Sequence, residues 1–169
     1  MSKRALKSYL SDLNKSELQE QIIELYDKFP AVKTYYDFAF NPKEDKLVQE
    51  AKTKISNEYF PLKRKRPKAR RSVAQKYIKH FIKLGVAPNL VADVMLYNLE
   101  IAQTFASERN VPDAFYKSML NSFVEMTTFI SQNNLLSEYK ERLIQVYERT
   151  QSDNWLYMED FSRALDILD

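Results

Sequence analysis

Apolar residues recur at spacings of three and four along most of the chain, the period of an α-helix that buries one face. Leu18, Ile22, Leu25 and Phe29 do so in a segment that opens at Asn14-Lys15-Ser16-Glu17 and closes at Pro30. Val73, Ala74, Tyr77, Ile78, Phe81 and Ile82 share one side of a later segment that stops at Gly85, the expected left-handed C-cap. Phe115, Met119, Phe123, Met126, Phe129 and Ile130 make another stripe of the kind that packs against neighbouring helices. Helix starts are marked as well. Asn41-Pro42-Lys43-Glu44 predicts a capping box with proline at the first helical position, and Pro88, Pro112 and the Asn133-Asn134 turn open later helices. The pattern predicts helices over residues 3–10, 15–29, 31–40, 42–57, 70–84, 88–109, 112–132, 135–150 and 155–168.

The later helices are long and joined by short connections, which makes sequential neighbours antiparallel. The expected fold is all-α, with eight or nine helices in antiparallel helical hairpins packed as a bundle or a short helical-repeat-like array. One domain over residues 1–169 is expected, with a basic connecting segment at about 62–71. Composition agrees. A single glycine in 169 residues puts all-β and Rossmann-like folds far behind and excludes phosphate-cradling loops. No internal repeat is found.

The chain has no cysteine, so disulfides, thiolate nucleophiles and cysteine metal sites are impossible and a reducing compartment is favoured. Lys3, Arg4 and Lys7 are followed by Ser8, Ser11 and Asp12, with no apolar run that would make a secretory leader. No stretch approaches the length of a membrane span. The expected location is cytoplasmic.

Charge changes the picture, because the net +3 hides a segregation. Residues 1–58 carry ten basic and ten acidic side chains, and residues 93–169 carry six basic and thirteen acidic. Residues 59–92 carry ten basic side chains and no acid. Seven of these, Lys63, Arg64, Lys65, Arg66, Lys68, Arg70 and Arg71, lie in the proline-interrupted connection before the fifth helix. On that helix Lys76, Lys79, His80 and Lys83 share a face opposite the apolar one. Clustered bases attract phosphates and carboxylates at long range. Tyr59, Phe60 and Tyr77 lie near enough in sequence to stack on bases, while the acidic C-terminal half offers a partner within the fold or in a second copy. The run 63–67 also has the composition of a nuclear-import signal, and a basic amphipathic helix can lie on an anionic membrane, though this helix commits its apolar face to a core.

Chemistry is scarce. His80 is the one histidine, with no carboxylate near it in sequence, and reads as part of the solvated basic face. Asp93 with Glu100, Glu138 with Glu141, and Glu159 beside Asp160 are carboxylate pairs without the Glu-x-x-His repeats of a di-metal bundle. Glu138, Glu141 and Glu148 with Lys140, Arg142 and Arg149 read as a mixed-charge helix exterior. Tyr35, Tyr36, Phe38 and Phe40 read as helical core, and Trp155 as the anchor of the last helix. No catalytic residue, metal site or cofactor is implied.

The opening Tyr9-Leu10-Ser11-Asp12-Leu13, then Ser16-Glu17-Leu18, Ile22-Ile23-Glu24-Leu25-Tyr26, Phe29-Pro30-Ala31-Val32-Lys33 and Tyr35-Tyr36-Asp37-Phe38 resembles the start of a bacterial family of small helical proteins of unknown function. The resemblance is strongest over about the first 60 residues and implies no activity, cofactor or substrate. The sequence therefore leads to a non-enzymatic helical scaffold or adaptor, binding an acidic protein, or self-associating, through Lys63, Arg64, Lys65, Arg66, Lys68, Arg70, Arg71, Lys76, Lys79 and Lys83. The alternative is nucleic-acid binding through phosphate contacts by the same residues.

Overall fold

The computed structural model describes residues 2–63 and 66–166. Among them every regular element is an α-helix: α1 (Lys3–Ser11), α2 (Lys15–Lys28), α3 (Pro30–Phe40), α4 (Glu44–Tyr59), α5 (Arg71–Leu84), α6 (Pro88–Glu108), α7 (Asp113–Gln132), α8 (Leu136–Ser152) and α9 (Met158–Leu165). The all-α expectation is met. Contacts cluster into two compact units, Met1–Lys43 and Glu44–Asp169, where the sequence pattern leads to one domain.

In the first unit, α2 opens with a reciprocal capping box. The Asn14 side chain accepts from the Glu17 amide at 3.0 Å, and the Glu17 carboxylate accepts from the Asn14 amide at 2.8 Å. Pro30 starts α3, where its missing N–H costs nothing. The Tyr26 hydroxyl donates to Asp37 at 2.7 Å and ties α2 to α3. No residue of α1, α2 or α3 is buried. The expected aromatic core of α3 is thus corrected: Tyr35 and Phe40 are exposed, and Tyr36 stacks on Phe40 with ring centroids 6.0 Å apart. Three short helices offer too few layers to enclose an apolar stripe.

The second unit is wrapped around α6, which packs against α4, α5, α7 and α8. From Asn89 to Ala106 no residue of α6 is exposed. Leu96, Leu99 and Ala102 are fully enclosed, and so are Asn98 and Gln103. The two buried amides are satisfied, since Asn98 accepts from the Tyr59 hydroxyl at 3.2 Å and Gln103 donates to the Val146 carbonyl at 2.7 Å. Phe105, near the end of α6, meets Phe115, near the start of α7, as the short connection between antiparallel neighbours requires. The stripe from Phe115 through Ile130 is buried as expected, apart from the half-exposed Phe129. Trp155 is buried against Phe115, Tyr116 and Phe161.

Three helix ends are closed by one device. Gly85, Asn134 and Asn154 take left-handed backbone with φ of 85°, 56° and 51°. The next residue in each case, Val86, Leu135 or Trp155, donates to the carbonyl five residues back. This satisfies the last-turn carbonyls and turns an apolar side chain onto the helix just ended.

Two starts differ from expectation. The fourth helix begins at Glu44, not Pro42: Asn41 ends α3, and the Glu44 carboxylate accepts from the Ala87 amide at 2.8 Å, at the N-cap of α6. The last helix begins at Met158, not Trp155, because left-handed Asn154 and Tyr157 (φ 69°) enclose a turn.

A Cβ at position 85 would meet no atom within 4 Å, so alanine there suffers only the backbone penalty. Gly85→Ala is expected to destabilise the second unit by about 1 kcal/mol, and Gly85→Asn by less, since asparagine tolerates this conformation. Paired thermal melts of the two variants measure the difference.

Candidate functional site

The basic connection follows α4 and is pinned at its far end by a single residue, Glu58. The amides of Lys68 and Ala69 both donate to the Glu58 carbonyl, at 3.0 and 2.9 Å. The Arg70 guanidinium forks the Glu58 carboxylate at 2.9 and 3.1 Å. That hydrogen bonding, with the charge of Glu58, raises the Arg70 pKa further above its ordinary value. Glu58 is buried while Arg70 is exposed, so the arginine serves the carboxylate more than the reverse. Arg71 opens α5 and points across to α7, donating from Nε to Ser122 at 2.7 Å. Its Nη2 lies 2.6 Å from the Glu125 carboxylate, without the alignment a hydrogen bond needs.

Arg70 and Arg71 are therefore committed to the fold. Arg64 and Lys65 lie outside the described residues. Lys63, Arg66 and Lys68 are exposed on the connection, and Lys76, Lys79 and Lys83 are exposed on α5. These six make no ion pair among the described residues. The α5 lysines stand opposite buried Ala74, Ile78 and Phe81, in a ridge about 10 Å long at 1.5 Å per residue. His80 is exposed beside them. The aromatics that sequence placed near this surface do not line it. Tyr59 is buried, Phe60 packs on Phe105, and Tyr77 packs on Phe81. Burial, then the charge of Glu58, holds the Tyr59 hydroxyl pKa well above its usual value.

A second charge cluster lies on the polar face of α6, and its cation was missed in the sequence. Arg142 of α8 is half-buried rather than exterior: it donates to both Glu100 oxygens at 2.6 and 2.8 Å and to Asp93 at 2.6 Å. Lys52 of α4 reaches the other Asp93 oxygen at 2.5 Å and lies over the Tyr97 ring, 5.2 Å from its centroid. The sequence signal was present only as two carboxylates on one face of α6, seven residues apart. Burial works to raise the Asp93 pKa, but hydrogen bonds and charge from Lys52 and Arg142 outweigh it and hold the carboxyl below its ordinary value. Nearby, burial first and then the charges of Glu138 and Asp93 push the Tyr139 hydroxyl up to about 12. Each carboxylate in the cluster faces a cation, so the arrangement fixes α4 and α8 onto α6 and leaves no base free to move a proton.

Two open clefts lie among the described residues. One of about 510 Å³ runs between α5, α7 and α9, where Arg71 and Glu125 on one side face Asp160 and Arg163, themselves paired at 2.6 Å. The other, about 380 Å³, lies between Lys68 and the α6–α7 connection, floored by Phe105 and Phe115. Among the described residues no group of acids and histidine could hold a metal ion, and no helix is long and apolar enough to cross a membrane.

Arg142→Met leaves Glu100 without its fork and should cost the second unit about 2 kcal/mol, below the value for a fully buried pair because the site is half-exposed. Chemical denaturation measures it. The depressed Asp93 pKa contributes stability that is complete above the carboxyl's ordinary value and is lost as pH falls through the folded value. Asp93→Asn should therefore flatten the loss of stability below about pH 4, read from melts across the acid range.

No curated protein and no solved structure matches the chain. A family model matches residues 1–169, well past the 60 that carry the resemblance seen in the sequence, and the chain belongs to that family, described as a family of unknown function (DUF6155).

Proposed function

We propose that this chain is a non-enzymatic helical adaptor that takes an acidic protein surface on the α5 ridge of Lys76, Lys79 and Lys83, with Lys63, Arg66 and Lys68 beside it. One observation carries the reading: six bases stand in a stretch with no acid of its own, and among the described residues no acid from the rest of the fold pairs with them. Arg70 and Arg71 draw in Glu58 and Glu125, so the fold neutralises its structural bases and leaves the ridge charged. A rigid helix with its apolar face buried holds the lysines at fixed spacing, which reduces the ordering cost of binding. The burial of Tyr59 and the packing of Phe60 and Tyr77 favour a protein partner over a nucleic acid, because these three rings are drawn into the fold and leave His80 as the one exposed ring beside the α5 lysines among the described residues. No cofactor, metal or small molecule enters this reading. The lack of cysteine supports a cytoplasmic setting.

The test compares a fluorescent oligoglutamate with an oligothymidylate of equal charge by anisotropy at low salt. The oligoglutamate should bind, weaken as salt rises, and lose at least tenfold in affinity to Lys76→Glu/Lys79→Glu. Tighter binding of the oligothymidylate would favour the nucleic-acid reading, and indifference to the double substitution would remove the ridge from either.

A further inference from the structure

We infer that the acidic surface taken by the α5 ridge is the outer face of α8 on a second copy of this chain, an inference that rests on the ridge reading above. The helix α8 buries Tyr139, Leu143, Val146 and Thr150, and turns Glu138, Glu141, Gln145 and Glu148 to solvent. None of these glutamates makes an ion pair among the described residues. The reason lies in where the arginines of α8 go. Arg142 turns inward to Asp93 and Glu100, and Arg149 lies toward Asp153 and Thr104. Lys140 is exposed about a quarter turn from Glu141 and does not fall on the same line. Arg142 and Arg149 are thus turned to acids other than these glutamates, and among the described residues neither the glutamates of α8 nor the lysines of α5 are neutralised by an ion pair.

The two faces match in spacing as well as sign. Lys76 and Lys83 are seven residues apart on α5, and Glu141 and Glu148 are seven apart on α8, so each pair spans about 10 Å along its helix. Each face also carries one exposed isoleucine beside its charges: Ile82 is 51% exposed and Ile144 is 38% exposed. Two helices laid together with charges in register would cover these isoleucines, giving the contact an apolar centre inside a charged rim. Because α5 and α8 are different surfaces, the contact joins unlike patches, each copy offering both. Exposed ion pairs contribute about 0.2–1 kcal/mol each, so the association is weak and sensitive to salt.

Light scattering and sedimentation velocity on the full chain test this. At low salt the mean mass should rise above the 20.0 kDa of one chain as concentration increases. It should return toward that value near 1 M salt, where charges are screened beyond about 3 Å. Lys76→Glu/Lys79→Glu/Lys83→Glu and Glu141→Lys/Glu148→Lys should each remain at the mass of one chain. Mixing the two should restore association, because each then meets its complement; circular dichroism on each variant checks that the helices are intact. A wild-type chain that stays at 20.0 kDa throughout overturns the inference. So does association that survives either reversal, or a mixture that stays dissociated. If the wild type does not associate but still binds oligoglutamate through the ridge, the inference fails and the ridge reading stands. If oligoglutamate binding is also indifferent to the ridge, both fail.

Discussion

The second unit depends on one constraint: from Asn89 to Ala106 no residue of α6 is fully exposed, and even its polar face is half-covered. Its apolar residues occupy more than half of its circumference, the Val, Leu, Met and Phe among them each worth roughly 1.5–3 kcal/mol when fully buried, and the remainder is a line of Asp93, Tyr97, Glu100 and Thr104. Covering the apolar arc requires several helices. Covering the polar line without penalty requires cations at the right depth, and Lys52, Arg142 and Arg149 supply contacts from α4 and α8. Packing and charge thus specify the same arrangement, and a helix shifted by one residue would place a carboxylate against Leu or Val. The outward faces of α5 and α8 follow from this demand, since whatever is turned toward α6 fixes what is turned away.

How much of this was legible depends on whether the signal is local. Gly85 as a left-handed cap, the Asn133-Asn134 turn and the apolar stripe of α7 were readable because each is decided within one or two helical turns. Asn41-Pro42-Lys43-Glu44 carried the same local signature and misled, since the Glu44 carboxylate found the Ala87 amide 43 residues away. The genuine capping box is at Asn14 and Glu17, where no such competitor intervenes. Trp155 was rightly placed in the core, but its distance from the start of α9 was set by two left-handed residues that pattern alone does not reveal.

The charges teach the same lesson more sharply. In sequence, Arg142 is indistinguishable from Lys140 and Arg149, all three lying among glutamates, and only the packing of α8 on α6 makes it the centre of a network. Arg70 and Arg71 are likewise indistinguishable from Arg66, yet they hold the connection and the start of α5 in place. A count of bases gives the charge of a segment and not its availability. Availability is set by which acids the tertiary fold brings up, and here it brings Glu58 and Glu125 to the two arginines and, among the described residues, pairs none with the lysines of α5.

This division has a physical reason. A guanidinium can fork a carboxylate with two parallel bonds and tolerates partial burial, whereas a lysine ammonium keeps its hydration best at the end of a flexible stem. Around α5 and α8 the arginines at 70, 71 and 142 hold the fold and the lysines at 76, 79 and 83 face solvent, while α4 is held by a lysine, Lys52, on Asp93. Lysine on an outward ridge can release its water to an incoming carboxylate without disturbing the fold beneath it. A surface of this kind can therefore associate and dissociate while the core around α6 stays as it is.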